Sequence, residues 1–161
     1  MTKKQCADTA LPNSTYNILR VLRLSPLAVV PAYQSCGAAC FDLHAAIDLP
    51  VSVAARGTAT VTTGLAFEVP AGFVMLVYSR SGHGIKNDIR LSNCVGVIDS
   101  DYRGAVLVKL TSDARHGSFE VRQGDRIAQA MIVPVQRWSI AEATSLSDTA
   151  RATGGFGSTG R

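Results

Sequence analysis

Short apolar segments with polar positions between them recur along most of the chain. Residues 58–63 (TATVTT), 65–69 (LAFEV) and 73–78 (FVMLVY) are rich in β-branched and aromatic side chains, and clusters such as 70–72 (PAG) separate them. Runs of this kind, bounded by Gly, Pro or Asp, predict β-strands. The same pattern predicts strands at residues 17–24, 39–46, 51–54, 105–110, 119–122 and 127–133. Many short strands at such spacing predict an all-β barrel or jelly roll.

Two segments depart from this simple succession of strands. Residues 96–104 (GVIDSDYRG) form a polar stretch between the apolar segments 91–95 and 105–110, so we expect a hairpin with Gly104 in its turn. A short helical turn is predicted after Ser81, whose hydroxyl could cap it and turn backbone amides toward an anion.

Length and composition are those of one folded domain. The chain has 161 residues, of which 47% are hydrophobic, enough for a core. Apolar patterning stops after about Leu146, so we expect a domain at residues 1–147 and a mobile, glycine-rich tail at 148–161. No apolar run approaches the roughly 18 residues of a membrane span, and residues 1–5 do not resemble a secretory signal. We therefore expect a cytoplasmic protein without a membrane partner.

The distribution of charge argues against nucleic-acid binding. The formal net charge is +4, but the basic residues are scattered singly and only Lys3 and Lys4 are adjacent. Proteins that bind polynucleotides usually concentrate basic and aromatic residues on one face. The excess of positive charge instead suits a small polyanionic ligand.

The four cysteines, Cys6, Cys36, Cys40 and Cys94, allow up to two disulfides. The spacing of Cys36, Cys40 and His44 would place them on one face of a strand and superficially resembles a metal site. No fourth ligand is evident for a tetrahedral zinc centre. We therefore expect buried or half-buried free thiols.

The turn at residues 96–104 carries the most reactive groups. Asp99 and Asp101 place two carboxylates beside Tyr102. An ionised Asp can act as general base toward water, and a tyrosine ring offers a flat wall for a sugar or base. The alternative is that both carboxylates only form hydrogen bonds within the turn.

A second candidate segment is the glycine-rich C-terminus, residues 151–161 (RATGGFGSTGR). Its backbone amides, with Arg151, Ser158 and Thr159, could bind phosphate oxygens, and Phe156 could lie against a nucleobase. Glycine-rich ends are otherwise often disordered. Together with the acidic turn, this segment indicates a nucleotide ligand.

Five motifs in order are similar to those of the trimeric deoxyuridine triphosphate nucleotidohydrolases, the dUTPases. They are residues 39–45 (ACFDLHA), 80–86 (RSGHGIK) with Ile89, 96–104 (GVIDSDYRG), 124–129 (GDRIAQ) and 151–160 (RATGGFGSTG). The resemblance implies a jelly-roll-like β-barrel. It also implies hydrolysis of dUTP to dUMP and pyrophosphate, which keeps uracil out of DNA and supplies dUMP for dTMP synthesis.

The resemblance also implies roles for particular residues. Asp99 would activate the water that attacks the α-phosphorus, and Tyr102 would stack under the deoxyribose. Mg²⁺ would be held by the triphosphate rather than by direct protein ligands, with Asp42 anchoring the surrounding water network. The remaining substrate-binding residues would be Arg80, Ser81, Gly82 and Gln129 for the phosphates, Asn93, Val97, Ile98 and Leu107 for uracil, and Arg151, Phe156, Gly157, Ser158 and Thr159 in the closing tail. The active sites would be shared between the subunits of a homotrimer.

The chain departs from the family pattern at a few positions. His83 and Gly84 replace the usual Leu-Ala, Asp88 replaces a common Gly, and Ala152 replaces a Gly in the tail. Asp tolerates positive φ better than most residues, whereas Ala at such a position would weaken the closed tail. Arg126 of the fourth motif is expected to form an ordinary surface or interface ion pair.

Two alternatives remain open. The related deoxycytidine triphosphate deaminases carry a Glu on the strand after the acidic turn, but Lys109 stands at that position here. A different class would be a regulatory module that uses the same scaffold to bind a protein partner, because a fold does not determine a function.

Overall fold

A computed structural model describes residues 18–158 and Gly160 of the chain. This part is mostly β-structure with one short helix, as the hydrophobic pattern predicts. The elements are β1 (Arg20–Arg23), β2 (Phe41–His44), β3 (Val51–Ala54), β4 (Thr58–Thr62), β5 (Leu65–Glu68), β6 (Phe73–Tyr78), α1 (Ser81–Asn87), β7 (Ile89–Leu91), β8 (Val95–Ile98), β9 (Leu107–Ser112), β10 (Ser118–Val121) and β11 (Arg126–Pro134). No helix in the described range is long and apolar enough to cross a membrane.

The described strands form four sheets, all with antiparallel pairing. The largest sheet has the order β2-β11-β6-β8, and a three-stranded sheet has the order β4-β9-β7. Two further pairs, β1-β5 and β10-β3, complete the arrangement. The long β11 is central to the first sheet, because it pairs with β2 from Arg126 to Ala130 and with β6 from Gln129 to Pro134.

One hydrophobic core lies between these sheets. In β9 the side chains alternate between exposed and buried, so that Val108 and Leu110 face inward while Leu107 and Lys109 face outward. This is the two-residue period of a strand with one solvated face. Leu43 on β2 is fully buried in the same core. Burial of each such side chain contributes about 1.5–3 kcal/mol.

The predicted hairpin around residues 96–104 is only partly correct in its pairing. Segments 91–95 and 105–110 pair at one end only, where Leu91 is opposite Leu110 and the Ser92 N–H donates to the Lys109 carbonyl, because residues 92–94 form a turn in which Cys94 has φ 61°. The Cys94 N–H donates to the Leu91 carbonyl at 3.4 Å, and the chain then enters β8. As a result β7 pairs with β9, whereas β8 pairs with β6 in the other sheet. The two strands on either side of the acidic turn therefore belong to different sheets.

The predicted helical turn is present as α1, but Ser81 does not cap it. The N-cap residue is Arg80, and no side chain makes a cap hydrogen bond. Ser81 is instead the first helical residue. At the other end, Asp88 adopts the left-handed conformation at φ 54° and donates its N–H to the His83 carbonyl. The expectation that Asp can replace Gly at this turn is thereby confirmed.

The prediction of four free, buried or half-buried thiols is only partly correct. Cys40 and Cys94 are free, but Cys94 is exposed, and Cys36 is disulfide-bonded. Cys36 lies in an exposed loop before β2, where burial does not shield its sulfur. Both cysteines precede β2, so Cys36, Cys40 and His44 do not lie together on one strand as predicted. Cys6 lies outside the described residues.

Gly64 occupies a position that we predict cannot accept a side chain. It lies between β4 and β5 at φ 63°, and a Cβ there would lie 2.9 Å from Ala46 Cβ and 3.1 Å from Ala28 Cβ. Overpacking and the left-handed backbone should make Gly64→Ala destabilising by about 2–4 kcal/mol in urea unfolding at fixed protein concentration. Gly72→Ala is the matched control, because Gly72 has φ 82° with nothing within 4 Å. Its expected cost is about 1 kcal/mol, and equal losses in both variants would contradict the steric argument.

Candidate active site

A buried carboxylate connects two strands of the large sheet with the start of α1. Asp42 on β2 is 7% exposed. Its Oδ1 accepts a hydrogen bond from Arg80 Nε at 2.9 Å, and its Oδ2 accepts one from Arg126 Nη1 at 3.2 Å. A buried charge must be paired, so Asp42 holds both guanidinium groups in place. Because two cations share one anion, this cluster carries an excess positive charge that suits an anionic ligand.

Gln129 lies in the same row of the large sheet. It is opposite Asp42 on one side and Tyr78 on the other. Its Nε2 donates to the Ser79 carbonyl at 2.9 Å, and the Ser79 hydroxyl accepts from the Leu91 N–H at 2.9 Å. These bonds fix the segment between β6 and α1, which carries Arg80.

The first turn of α1 is open to solvent. Ser81 and Gly82 are exposed, and a Cβ on Gly82 would meet nothing within 4 Å. The first amides of a helix have no intrahelical acceptor. Since packing within the chain does not require glycine at position 82, the turn leaves room for a ligand to approach the backbone beside Arg80.

A cleft opens where β8 and β9 separate into different sheets. It has a volume of about 280 Å³ and is lined by Val77, Leu91, Ser92, Asn93, Gly96, Val97, Ile98, Val106, Leu107, Val108 and Lys109. One edge of β8 bonds to β6, so its other edge is available toward the cleft. This volume, that of roughly nine water molecules, is large enough for a pyrimidine base. The predicted base-reading residues Asn93, Val97, Ile98 and Leu107 all line it.

The acidic turn follows β8 directly at the end of this cleft. Asp99 and Asp101 are exposed, and within residues 18–158 neither carboxylate makes a hydrogen bond or ion pair. The alternative that they serve only as turn-bonding groups is therefore not supported. The Tyr102 hydroxyl donates to the Ala105 carbonyl at 3.1 Å, which holds the ring across Gly104. A Cβ on Gly104 would collide with this ring.

Arg80 and Asp99 lie at opposite ends of the β6–β8 ladder. Tyr78 is opposite Val95 and Met75 is opposite Ile98. Arg80 continues beyond one end of the ladder and Asp99 beyond the other. At about 3.3 Å per residue, some six residue steps separate them by roughly 20 Å along the strands. One chain therefore does not bring its anion-binding cluster and its acidic turn to the same point.

Within the described residues, the C-terminal segment forms no hydrogen bond or ion pair with either region. The hydrogen bonds of residues 149–158 join residues of the same segment, as in the 2.8 Å bond from Arg151 Nε to the Gly154 carbonyl. Phe156 is fully exposed, and Gly157 and Ser158 are exposed as well. Ala152 has φ 43°, so this Ala does occupy a conformation that favours glycine. Thr159 lies outside the described residues.

Two titratable groups near Asp42 have shifted pKa values. Burial lowers the pKa of His44, Asp42 opposes this shift, and the positive charges of Arg126 and Arg80 add to it. Burial and the nearby Asp42 carboxylate raise the pKa of Cys40, which favours its thiol form. Within the described part of the chain, no group of three or more His, Cys, Asp or Glu side chains could hold a metal ion.

Two site residues were not identified from sequence. Arg126 was expected to form an ordinary ion pair, and it does pair with Asp42, but this pairing places it beside Arg80 in the cluster. His83 was recognised only as a departure from the family pattern, yet its ring contacts β11. Position in the motif indicated nothing about either contact, because the first depends on how β11 pairs with β2 and the second on how α1 packs against β11.

Comparison with known proteins gives consistent matches. The dUTPase family model matches residues 27–160. The deoxyuridine 5'-triphosphate nucleotidohydrolase of Nautilia profundicola is 43% identical over 143 residues, which cover 89% of this chain and 99% of the relative. The protein of the same name from Picosynechococcus sp. is 45% identical over 142 residues, covering 88% of this chain and 98% of the relative.

Solved structures are similar as well. A point mutant of the Staphylococcus bacteriophage 80alpha dUTPase, in complex with dUpNHpp, has a TM-score of 0.82 at 26% identity and covers 91% of this chain and 100% of that one. A mutant dUTPase from phage phi11 of S. aureus, described with a structural Mg(II) ion, has a TM-score of 0.73 at 24% identity. It covers 80% of this chain and 98% of that chain.

A cleft large enough for a base and a cluster of excess positive charge on a β-scaffold are typical of a protein of the nucleotide-processing class. The family match over residues 27–160 and the relatives above 40% identity over nearly 90% of the chain make the assignment specific. The chain belongs to the dUTPase family.

We predict that His44 makes the fold less stable in mild acid. Its Nδ1 is buried with no hydrogen-bond partner in the described structure, and its pKa in the folded state is lowered. Above about pH 6.5 the ring is neutral in both states; below it, the unfolded chain binds a proton that the folded chain does not. The free energy of unfolding should therefore fall as the pH drops below about 6.5.

The measurement is urea unfolding at several pH values in the wild type and His44→Gln. The decrease toward low pH should be shallower in the variant, which lacks the titrating ring. His116→Gln is the control, because His116 is exposed. Parallel pH profiles in wild type and His44→Gln would show that His44 does not contribute.

Proposed function

We propose that the chain hydrolyses dUTP to dUMP and pyrophosphate by attack of water on the α-phosphorus. Activity on dUTP follows from membership of the family. The observation that carries the mechanism is the base-sized cleft between β8 and β9, which leads directly to the unpartnered carboxylate of Asp99. A base held in this cleft would direct the rest of the nucleotide toward the acidic turn.

Uracil would be recognised by the exposed backbone edge of the cleft together with Asn93. Val97 and Ile98 lie on β8, whose edge away from β6 is available to the cleft, and Leu107 contributes from β9. Backbone groups in fixed positions can form hydrogen bonds with the edge of one base. A different base would leave these groups unpaired, which costs binding energy. A side chain at Gly96 would be 3.1 Å from Val77 Cβ and 3.7 Å from Asn93 Nδ2, so glycine keeps this part of the cleft open.

Tyr102 would select the deoxyribose. Its hydroxyl is tied to the Ala105 carbonyl and its ring lies over Gly104, so the ring is held as a wall. The ring is 44% exposed, which leaves a face available to the sugar. A wall this close would leave no room for a 2′-hydroxyl and would disfavour UTP.

The triphosphate would lie against the Asp42 cluster. Arg80, with the amides of Ser81 and Gly82, would bind phosphate oxygens, and Gln129 would contribute from the adjacent strand. The described residues contain no acidic cage for a metal, which is consistent with Mg²⁺ held by phosphate oxygens and water, with Asp42 anchoring the water network. Bound there, Mg²⁺ would neutralise charge on the triphosphate.

Asp99 would act as the general base. Its exposed carboxylate accepts a proton from water as the water oxygen bonds to the α-phosphorus. The bond from the α-phosphorus to the bridging oxygen breaks at the same time, and pyrophosphate leaves. The guanidinium groups stabilise the charge that develops on the phosphate oxygens.

The active site would be completed by other subunits of a homotrimer. Because Arg80 and Asp99 lie roughly 20 Å apart along one ladder, the Arg80 of one subunit would serve the Asp99 of another. The exposed Trp138, Ile140 and Leu146 provide apolar surface that a neighbouring subunit could cover. We further propose that the sheets close into a jelly-roll-like barrel within residues 1–147.

The segment 148–161 would close over the bound nucleotide. Phe156 would cover the base, while Arg151, Gly157, Ser158 and Thr159 would bind the far phosphates. The complete exposure of Phe156 in the single chain supports this, because a large ring left in water lacks a partner. In the cell this activity would keep uracil out of DNA and supply dUMP.

Asp99→Asn tests the general base. An amide can position the water but cannot take its proton, so turnover of dUTP with Mg²⁺ should fall by about 10²–10⁴-fold while affinity for dUpNHpp changes little. Pyrophosphate release and calorimetric binding measure the two quantities. Asp101→Asn is the matched control, two residues away on the same exposed turn, and should stay within about threefold of wild type. Normal turnover in Asp99→Asn would remove Asp99 from the mechanism.

Complementation tests whether sites are shared between subunits. Arg80→Ala and Asp99→Asn should each be nearly inactive alone, because each lacks one half of every site. In trimers mixed at random from equal amounts of the two, about a quarter of the sites combine an intact Arg80 with an intact Asp99. Coexpressed and purified mixed trimers should therefore recover roughly a quarter of wild-type turnover. No recovery in trimers shown by mass spectrometry to be mixed would mean that each site lies within one chain.

A further inference from the structure

In the second motif, His83 stands where the family usually has Leu, and this departure brings the largest change in side-chain chemistry. Its Nε2 is 2.7 Å from the Arg126 carbonyl oxygen, and its Nδ1 is 3.3 Å from Asn87 Nδ2. The ring also packs edge-to-face against Phe119 with the centroids 5.1 Å apart. The imidazole thus contacts its own helix and two strands, β10 and β11.

These contacts define one tautomer of the neutral ring. A carbonyl oxygen only accepts hydrogen bonds, so Nε2 must carry the hydrogen. Nδ1 then accepts from the Asn87 side-chain amide. Both ring nitrogens are satisfied, and leucine could form neither bond.

The carbonyl that His83 binds lies at an irregular point of the large sheet. The pairing of β11 with β2 shifts register between Arg126 and Ala128. An extra residue at such a bulge is left out of the strand ladder. The Arg126 carbonyl faces α1 instead, where it also accepts a hydrogen bond from Arg80 Nη1 at 3.3 Å.

His83 therefore joins the first turn of α1 to the same residue whose side chain bonds Asp42. Its 2.7 Å bond is shorter than the 3.3 Å bond from Arg80 to the same oxygen. Asp42 constrains the Arg80 side chain, whereas His83 constrains the helix backbone that carries Ser81 and Gly82. Without the His83 bond, α1 could shift relative to β11 while the ion pairs remained.

We propose that His83 is a positioning residue that fixes α1 against β11 and so orients Arg80, Ser81 and Gly82 toward the phosphate chain. The inference rests on the proposed function, in which these three residues bind phosphate. His83 itself does not contact the nucleotide. It acts through the Arg126 carbonyl and through the helix on which it lies.

Three substitutions separate the hydrogen bond from packing. His83→Gln places an amide donor near the position of Nε2 and should keep the bond to Arg126. His83→Asn ends near the position of Nδ1, too short to reach that carbonyl. His83→Leu keeps apolar contact with Phe119 and good helix propensity but has no donor.

Wild type and variants are compared by KM and kcat for dUTP with Mg²⁺, by calorimetric affinity for dUpNHpp and dUMP, and by thermal unfolding. The His83→Asn and His83→Leu variants should raise KM and the dUpNHpp Kd about 5- to 10-fold, which is the effect of one lost hydrogen bond. Because the base and sugar contacts are intact, dUMP affinity should stay within about twofold. The His83→Gln variant should keep KM and the dUpNHpp Kd within about twofold of the wild-type values.

The outcomes distinguish this inference from the proposed function. A wild-type protein that leaves dUTP uncleaved would contradict the function itself. If the wild type hydrolyses dUTP but KM and the dUpNHpp Kd are unchanged in His83→Asn and His83→Leu, the proposed role of His83 is overturned. Equal losses of affinity for dUpNHpp and dUMP would overturn it as well. So would a lowered unfolding temperature that His83→Gln does not restore, since either result would indicate a merely structural role.

Discussion

The buried carboxylate of Asp42 makes the interaction on which the proposed phosphate-binding half of the site depends. It bonds Arg80 through one oxygen and Arg126 through the other, and these arginines come from segments far apart in sequence. Without the carboxylate, two neighbouring guanidinium groups would repel each other, and the start of α1 would lose its link to the sheet. With it, one unit of positive charge remains unpaired, so the same contact serves the fold and, in the proposed function, the binding of an anion.

The large sheet determines how the two halves of the site are distributed. Since β8 runs antiparallel to β6, the acidic turn leaves one end of their ladder while α1 begins at the other. A phosphate chain bound beside Arg80 cannot reach Asp99 of the same chain across roughly 20 Å. The exposed apolar side chains after β11 and the uncovered Phe156 fit the proposed assembly, in which one subunit would present parts of several sites. Oligomeric assembly is thus a requirement of the proposed chemistry.

The departures from the family pattern are accommodated by different physical means. Asp88 takes the left-handed conformation that ends α1, which a short polar side chain tolerates. Ala152 takes a similar conformation without that advantage, so the tail bears a small backbone strain. His83 gains hydrogen bonds that a leucine could not form. The first change is tolerated by its side chain, the second places Ala in a conformation that favours glycine, and the third adds a contact between two motifs.

The sequence by itself determined most of the strands, the family and the residue types of the site. Strands such as β3 and β6 follow from alternation and composition, which depend on neighbours along the chain, and the five motifs are local strings. Only the tertiary structure decided that β8 and β9 separate, because one turn at Cys94 with positive φ redirects the chain. It also decided that Arg80, not Ser81, precedes α1 as its cap, that Cys36 is bonded, and that Asp42 holds two arginines. These outcomes depend on contacts between distant residues, and no local pattern encodes which distant groups meet.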